Sequence, residues 1–467
     1  MMIKLFKSAL ILIFLLQSTI VFCQPEISSS KEADLDSLIS ARLPSIAPGA
    51  VVLIAEKGKI VYRKAFGLSD MESGGTMKPE YIFRIGSISK QFTAVGVLQL
   101  LEDRKIGLED HIKKFLPDYP SPGSDITIRQ LLNHTSGIRN YLELDAGESV
   151  DVTRLQPEQV VNIFKKEPLK FAPGTAFDYS NSNYFLLAYL IEKITDVPYR
   201  AYLEKNIVER AKLSSTFYAN AKTDSLKFKS AKAYSKFDKG YELAELEPTN
   251  LLYGAGDIVS NADDLLKWHR ALYSGRLIKK STLKMATEPS TLTNGERIDY
   301  GYGFYIKDLA GESTVEHSGS TDGYQSDMVY LPERDLLFIT LFNCYEADMD
   351  WQILTNDLAK LYLEKNETEV ALNENQLEKY AGLYEVIFKG VSHKMKITLD
   401  NKQLYVEALN PEARLPKVKL HANDVNKFYI KEAPLRFEFT QTSDNDTLMM
   451  TTYNSKGKDA DWVKIEE

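Results

Sequence analysis

The chain has 467 residues, 44% of them hydrophobic and 26% charged, a globular balance that excludes a wholly disordered chain, a collagen and a polytopic membrane protein. Lys and Arg number 57 against 65 Asp and Glu, for a net charge of -8, and this argues against nucleic acid as a partner. Two Cys, Cys23 and Cys344, make no disulfide framework, and six scattered His lack metal-site spacing, so neither a metal nor another cofactor is expected.

Residues 1–23 read as a secretory signal. Lys4 and Lys7 give a short positive start, and Ala9 to Phe22 is apolar apart from Gln17, Ser18 and Thr19. That stretch is too short to span a bilayer comfortably. Cleavage after Cys23 is expected to release a periplasmic or secreted chain with no membrane span. A lipid anchor on Cys23 is the competing reading, and the bulky Phe22 before it argues against one.

The mature chain opens on a helical period, with Leu35, Leu38, Ile39 and Leu43 on one face of Lys31–Leu43. Ala50–Ile54 and Ile60–Phe66 flank Glu56-Lys57-Gly58-Lys59 and read as a hairpin. Ser87–Arg104 is helical again, with Ile88, Phe92, Val95 and Leu98 aligned. Helices and loops follow to about Asn250, including a helix at Asn183–Thr195. Strand-like runs return at Gly301–Phe304, Ser326–Leu331 and Leu337–Phe342. The pattern predicts one α/β unit with a helical insertion. A charged bridge, Glu364-Lys-Asn-Glu-Thr-Glu, leads to a second unit. There Met395-Ile397-Leu399, Leu404-Val406 and Phe437-Phe439 alternate as in an antiparallel sheet or small barrel with one buried face.

Chemistry concentrates in three places. Ser87-Ile88-Ser89-Lys90 is S-x-x-K at a helix start, and residues three apart share a helical face. Lys90 therefore approaches the Ser87 hydroxyl, a poor nucleophile until a base removes its proton. Burial and the positive helix end both favour a neutral, proton-accepting Lys90. The same tetrad recurs by chance at Ser28/Lys31, Ser281/Lys284 and Ser455/Lys458, and what separates Ser87 is its place at the start of an amphipathic helix. Tyr179-Ser180-Asn181 adds a phenol to relay protons and an amide to orient substrate and Lys90. His317-Ser318-Gly319-Ser320 adds an imidazole for proton donation or substrate contact, and a glycine that lets substrate reach the backbone.

S-x-x-K, Y-x-N and a K/H-x-G triplet in that order resemble the penicillin-recognising serine hydrolases, in the version shared by class C β-lactamases, DD-peptidases, family VIII esterases and D-aminopeptidases. Leu131-Leu132-Asn133-His134-Thr135-Ser136-Gly137, Gly254-Ala255-Gly256-Asp257-Ile258-Val259-Ser260 and Tyr300-Gly301-Tyr302-Gly303 are similar to further stretches of that family. The resemblance covers roughly residues 35–360. It implies a β-lactamase/transpeptidase-like α/β fold, an antiparallel sheet flanked by helices with a helical subdomain, over 31–362. Ser87 becomes the acylated nucleophile, with Lys90 and Tyr179 sharing base work and Asn181 touching substrate and Lys90. The Ser87 and Ser320 backbone N–H groups become the oxyanion hole. His134 is read as structural. His317 departs from the Lys usual in β-lactamases and DD-peptidases, which pairs with a substrate carboxylate. A His is shorter and mostly neutral at pH 7, so the likeness to D-aminopeptidases and esterases is closer.

Tyr380-Ala381-Gly382-Leu383-Tyr384 resembles the Y-x-G-x-Y opening of the lipocalin-like β domain attached to many such hydrolases, and implies that domain over 373–467. The expectation is an exported serine hydrolase acting on a small ester or peptide substrate. The competing reading is a non-catalytic penicillin-binding-type sensor or cell-envelope binding module on the same fold.

Overall fold

The computed structural model describes residues 27–121, 123–144, 154–218, 230–246, 248–346, 351–363, 369–388, 390–410, 415–430, 435–442, 447–454 and 457–465. The signal segment with Cys23, and residues 364–368 of the charged bridge 364–369, lie outside the described residues. The chain divides into two compact units, one ending at Ala359 and the other beginning at Lys360.

The first unit is built on a six-stranded antiparallel sheet. Its strands are β1 (Ala50–Glu56), β2 (Lys59–Phe66), β3 (Tyr305–Leu309), β4 (Glu312–Thr321), β5 (Tyr324–Leu331) and β6 (Leu336–Phe342), in the order β3-β4-β5-β6-β1-β2. The β1–β2 hairpin turns at Lys57 and Gly58, both with positive φ, as the sequence predicts. The central strands β1 and β6 are apolar almost throughout, because both their faces are covered. Val51, Leu53, Leu337, Ile339 and Leu341 join the large core, while Thr340 on the other face meets Thr355 across 2.7 Å. Helix α1 (Ser29–Arg42) packs on β2, and its Arg42 bonds Asp357 of α5 (Trp351–Leu363).

Helices α2 (Ser89–Glu102), α3 (Asn181–Thr195) and α4 (Ala262–Tyr273) are the longest of the other helices described in this unit. Helix α2 is buried on every side: Phe92 stacks on Trp268 of α4 at 3.9 Å, and α3 packs along it. The helix expected from Ser87 starts two residues later, because Gly86–Ile88 forms a 3₁₀ turn. The strand expected at Gly301–Phe304 is a turn. A Cβ on Gly301 would stand 2.1 Å from the Ala286 carbonyl oxygen, and Gly303 has φ +84, so both glycines serve close approach and not a pleat.

The second unit is a nine-stranded antiparallel sheet: β7 (Gly382–Phe388), β8 (Val391–Asp400), β9 (Gln403–Ala408), β10 (Val418–Lys419), β11 (His421–Ala422), β12 (Lys427–Tyr429), β13 (Arg436–Gln441), β14 (Leu448–Asn454) and β15 (Gly457–Ile465). The order is β10-β9-β8-β7-β15-β14-β13-β12-β11. Only Leu420 separates the two edge strands in the chain, so the sheet curls into a nearly closed barrel. Ile397, Leu404, Val406, Phe437 and Phe439 fill it, as their alternation predicts. Both tyrosines of the Y-x-G-x-Y stretch are buried: Tyr384 donates to the Tyr380 carbonyl at 2.8 Å, and Tyr380 to the Val425 carbonyl at 2.8 Å.

Candidate active site

Ser87 sits on the 3₁₀ turn that leads into α2, and Lys90 stands one turn further, wholly buried. Lys90 Nζ lies 3.0 Å from Ser87 Oγ, 2.7 Å from Asn181 Oδ1 and 2.9 Å from the Ala255 carbonyl oxygen. None of these partners is charged. Burial alone holds the Lys90 ammonium well below the usual lysine range. A neutral amine has two hydrogens, and Asn181 Oδ1 and Ala255 O accept both. The lone pair then faces the Ser87 hydroxyl. The contrast with the other tetrad is direct: Ser28 caps α1 by accepting from the Lys31 backbone N–H at 3.3 Å.

Asn181 is the first residue of α3, and the Asn133–Gly137 stretch fixes its approach. His134 Nδ1 accepts from the Ser180 backbone N–H at 3.2 Å and lies 3.1 Å from Asn183 Nδ2, while the His134 carbonyl accepts from the Asp178 N–H at 3.0 Å. Ser136 Oγ donates to Asn183 Oδ1 at 2.6 Å. His134 adopts φ +59 to make these contacts. Two donors at Nδ1 leave the hydrogen on Nε2, and burial keeps the ring neutral. The Tyr179 ring lies 4.4 Å from the His134 ring and 4.8 Å from Lys90 Nζ. Its buried hydroxyl has no partner in hydrogen-bonding geometry. Burial pushes that phenol well above its ordinary pKa, with the nearby Ser87 opposing, so it keeps its proton.

The Gly254–Ser260 loop presents the Ala255 carbonyl. Gly254 takes φ +70, its N–H donates to Asp257 Oδ1 at 3.1 Å, and Thr93 Oγ1 on α2 donates to its carbonyl at 2.6 Å. Burial raises the Asp257 carboxyl to about 6 against the opposing effect of Arg200, whose guanidinium is 3.3 Å away.

Strand β4 brings the third cluster. A Cβ on Gly86 would stand 2.7 Å from the Ser320 amide nitrogen, and one on Gly319 would stand 2.8 Å from the Ser87 amide nitrogen. The two backbone segments therefore lie against each other as only glycines allow. His317 is 2% exposed and occupied at both ring nitrogens. Nδ1 donates to the Ser318 carbonyl at 2.6 Å, and Nε2 accepts from the Tyr300 hydroxyl at 3.2 Å. Burial, and then Lys90, lower its pKa to about 3. A cleft of about 230 Å³ opens over Ser87, Asn181 and Ser320, walled by Leu142, Leu252, Ala255, Gly256, Thr321, Asp322 and Tyr345.

Ser87, Lys90, Tyr179, Asn181, Gly319 and Ser320 thus converge, with His317 packed beneath as a neutral ring. Sequence reasoning gave Ala255 no role. Its carbonyl is a backbone group, and only the Gly254-Ala255-Gly256 pattern marked the turn. Thr321 and Asp322 were also missed, although they directly follow Ser320.

The fold and this serine–lysine–tyrosine arrangement define a serine-hydrolase class, and residues 35–379 match the family described as Beta-lactamase, to which the chain belongs. It is 30% identical over 417 residues to penicillin-binding protein 4* of Bacillus subtilis strain 168, covering 84% of this chain and 90% of the relative. It is 26% identical over 369 residues to a D-aminopeptidase of Gluconobacter oxydans, covering 76% and 68% of the two chains. Among solved structures, the octameric penicillin-binding protein homologue from Pyrococcus abyssi aligns with a TM-score of 0.61 and 24% identity over 94% of this chain and all of that one. D-amino acid amidase from Ochrobactrum anthropi SV3 aligns with a TM-score of 0.63 and 22% identity over 72% and 98%. Both likenesses speak for the fold.

Proposed function

We propose that the protein is an exported serine hydrolase that works through a covalent Ser87 ester on small esters or peptide amides. The observation that carries this is Lys90, wholly buried with Nζ 3.0 Å from Ser87 Oγ, its pKa held well below the usual lysine range by that burial. Ser87 Oγ attacks the acyl carbon as its proton passes to Lys90, and Tyr179 serves as relay toward the leaving group. Backbone N–H groups of Ser87 and Ser320 hold the developing oxyanion. Collapse expels the leaving amine or alcohol, which takes the proton. Water then attacks the ester, gives a proton back through the same groups and releases the acid, restoring Ser87. Asn181 fixes Lys90 and meets the substrate.

Residues 1–23 act as the signal peptide in this reading, and 31–362 and 373–467 as the hydrolase and lipocalin-like domains. Among the described residues no helix is long and apolar enough to cross a membrane. The D-aminopeptidase relative supports amide substrates. A non-catalytic sensor would need no base beside Ser87, so the intact pair favours catalysis. The test is intact-protein mass spectrometry after a fluorophosphonate, with p-nitrophenyl acetate hydrolysis by wild type and Ser87→Ala. A Ser87 adduct and loss of turnover in the variant are expected. Turnover that survives the substitution removes Ser87 from the mechanism.

A further inference from the structure

We propose that Asp322 forms a subsite for the protonated amine of an α-amino acyl substrate, so that the preferred substrate is an amino-acid amide, ester or peptide N-terminus and not a carboxylate. The inference rests on the Ser87 acyl-transfer reading and names the substrate class for that site.

Charge is the first argument. Of the residues lining the cleft, Asp322 alone carries a charge, and it is exposed. Among the described residues its carboxylate has neither a hydrogen bond nor an ion pair. Lys90 does not line the cleft; it is buried and held by Ser87, Asn181 and the Ala255 carbonyl. His317 is neutral. The cleft therefore offers an anion and no cation, which disfavours penicillins and free peptide C-termini.

The second argument is access. The Thr321 hydroxyl beside it is sealed inside the protein, while Asp322 stands exposed in the cleft. A substrate ammonium carries three donors, enough to bond both oxygens of the Asp322 carboxylate.

Position is the third. Asp322 follows Ser320 by two residues, which is at most about 7 Å along extended backbone. The α-amine of an amino-acyl group is two bonds from the acyl carbon. With the acyl oxygen at the Ser87 and Ser320 amides, that amine falls within side-chain reach of Asp322. Leu142 and Tyr345, 41% and 40% exposed, and Leu252 supply an apolar wall for the substrate side chain.

The test is kcat/KM for D- and L-phenylalanine p-nitroanilide and their N-acetyl and N-succinyl derivatives, in wild type, Asp322→Asn and Asp322→Lys. Wild type is expected to favour the free amine over the acetylated form by at least about tenfold, the factor that about 1.4 kcal/mol gives. Asp322→Asn brings that ratio toward one, and Asp322→Lys shifts preference to the succinyl form. Each ratio is taken within one protein, so a partly misfolded variant does not mimic the effect. Equal rates on both forms, a preference that survives Asp322→Asn, or no p-nitroanilide turnover beside intact p-nitrophenyl acetate hydrolysis overturns this inference and leaves acyl transfer standing. Absence of both the Ser87 adduct and all turnover overturns the two together.

Discussion

Gly319 lies against Ser87 so closely that a Cβ on it would stand 2.8 Å from the Ser87 amide nitrogen, and 2.0 Å from the Ile85 carbonyl oxygen. Strand β4 and the turn that leads into α2 are thereby locked backbone to backbone. Gly319→Ala must push β4 off the turn, and backbone cannot swing aside as a side chain can. The expected result is a folded protein, destabilised by about 1–3 kcal/mol as in overpacked cores, whose p-nitrophenyl acetate kcat falls at least ~10²-fold. Circular dichroism and kcat together check it, and near-normal kcat would show that the close approach is dispensable.

Lys90→Met and Tyr179→Phe are each expected to lower kcat at least ~10²-fold, the scale of acid–base assistance. Activity also needs Lys90 neutral. Its folded pKa lies well below the unfolded value, so activity falls toward acid as the amine charges. Between those two pKa values the unfolded chain binds the extra proton, so this group makes stability rise with pH. A pH–kcat profile whose acid limb is unchanged in a Lys90 variant with residual activity would assign the limb elsewhere.

His317, neutral with its pKa near 3, predicts poor turnover of carboxylate-bearing β-lactams. His317→Lys is expected to move kcat/KM for a chromogenic cephalosporin up relative to a p-nitrophenyl ester. Wild-type protein that hydrolyses the cephalosporin as well as the ester would contradict this. The same low pKa has a stability consequence: between about pH 6.5 and 3 the unfolded chain binds the proton that buried His317 refuses, so its contribution is lost as pH falls through that window.

Asp327 behaves in the opposite sense. It is buried between the sheet and α5, its Oδ2 is unpartnered, and burial, with Glu316 adding, raises its carboxyl to about 8 against the opposing effects of Thr355 and Lys307. The folded state keeps its proton between the ordinary Asp value and about pH 8, so this group makes stability fall as pH rises through that range. Asp327→Asn is expected to melt at a less pH-dependent temperature than wild type between pH 6 and 9. Parallel melting curves for the two proteins would assign the alkaline sensitivity to another group.

Ser87 and Lys90 could be paired from the chain alone, because residues three apart on a helical turn share a face, and the burial of α2 follows from its apolar run. The hairpin at Lys57-Gly58 and the alternating strands of the second unit were legible for the same local reason. Period and turn chemistry act over a few residues. The Gly301–Phe304 run failed because its glycines answer to Ala286 and α2, contacts that no local pattern carries. The Ser89 start of α2 failed likewise, since Gly86 bends to meet Ser320 across the sheet. What turns Ser87–Lys90 from a cap like Ser28–Lys31 into a reactive pair is long-range. Asn181 and the Ala255 carbonyl lie 91 and 165 residues from Lys90 and take its two hydrogens. Total burial pushes its pKa well down and so disfavours the charge. Residue types and spacing set which groups were available, and only the packed structure decided their protonation, because desolvation depends on every chain segment that closes over the site.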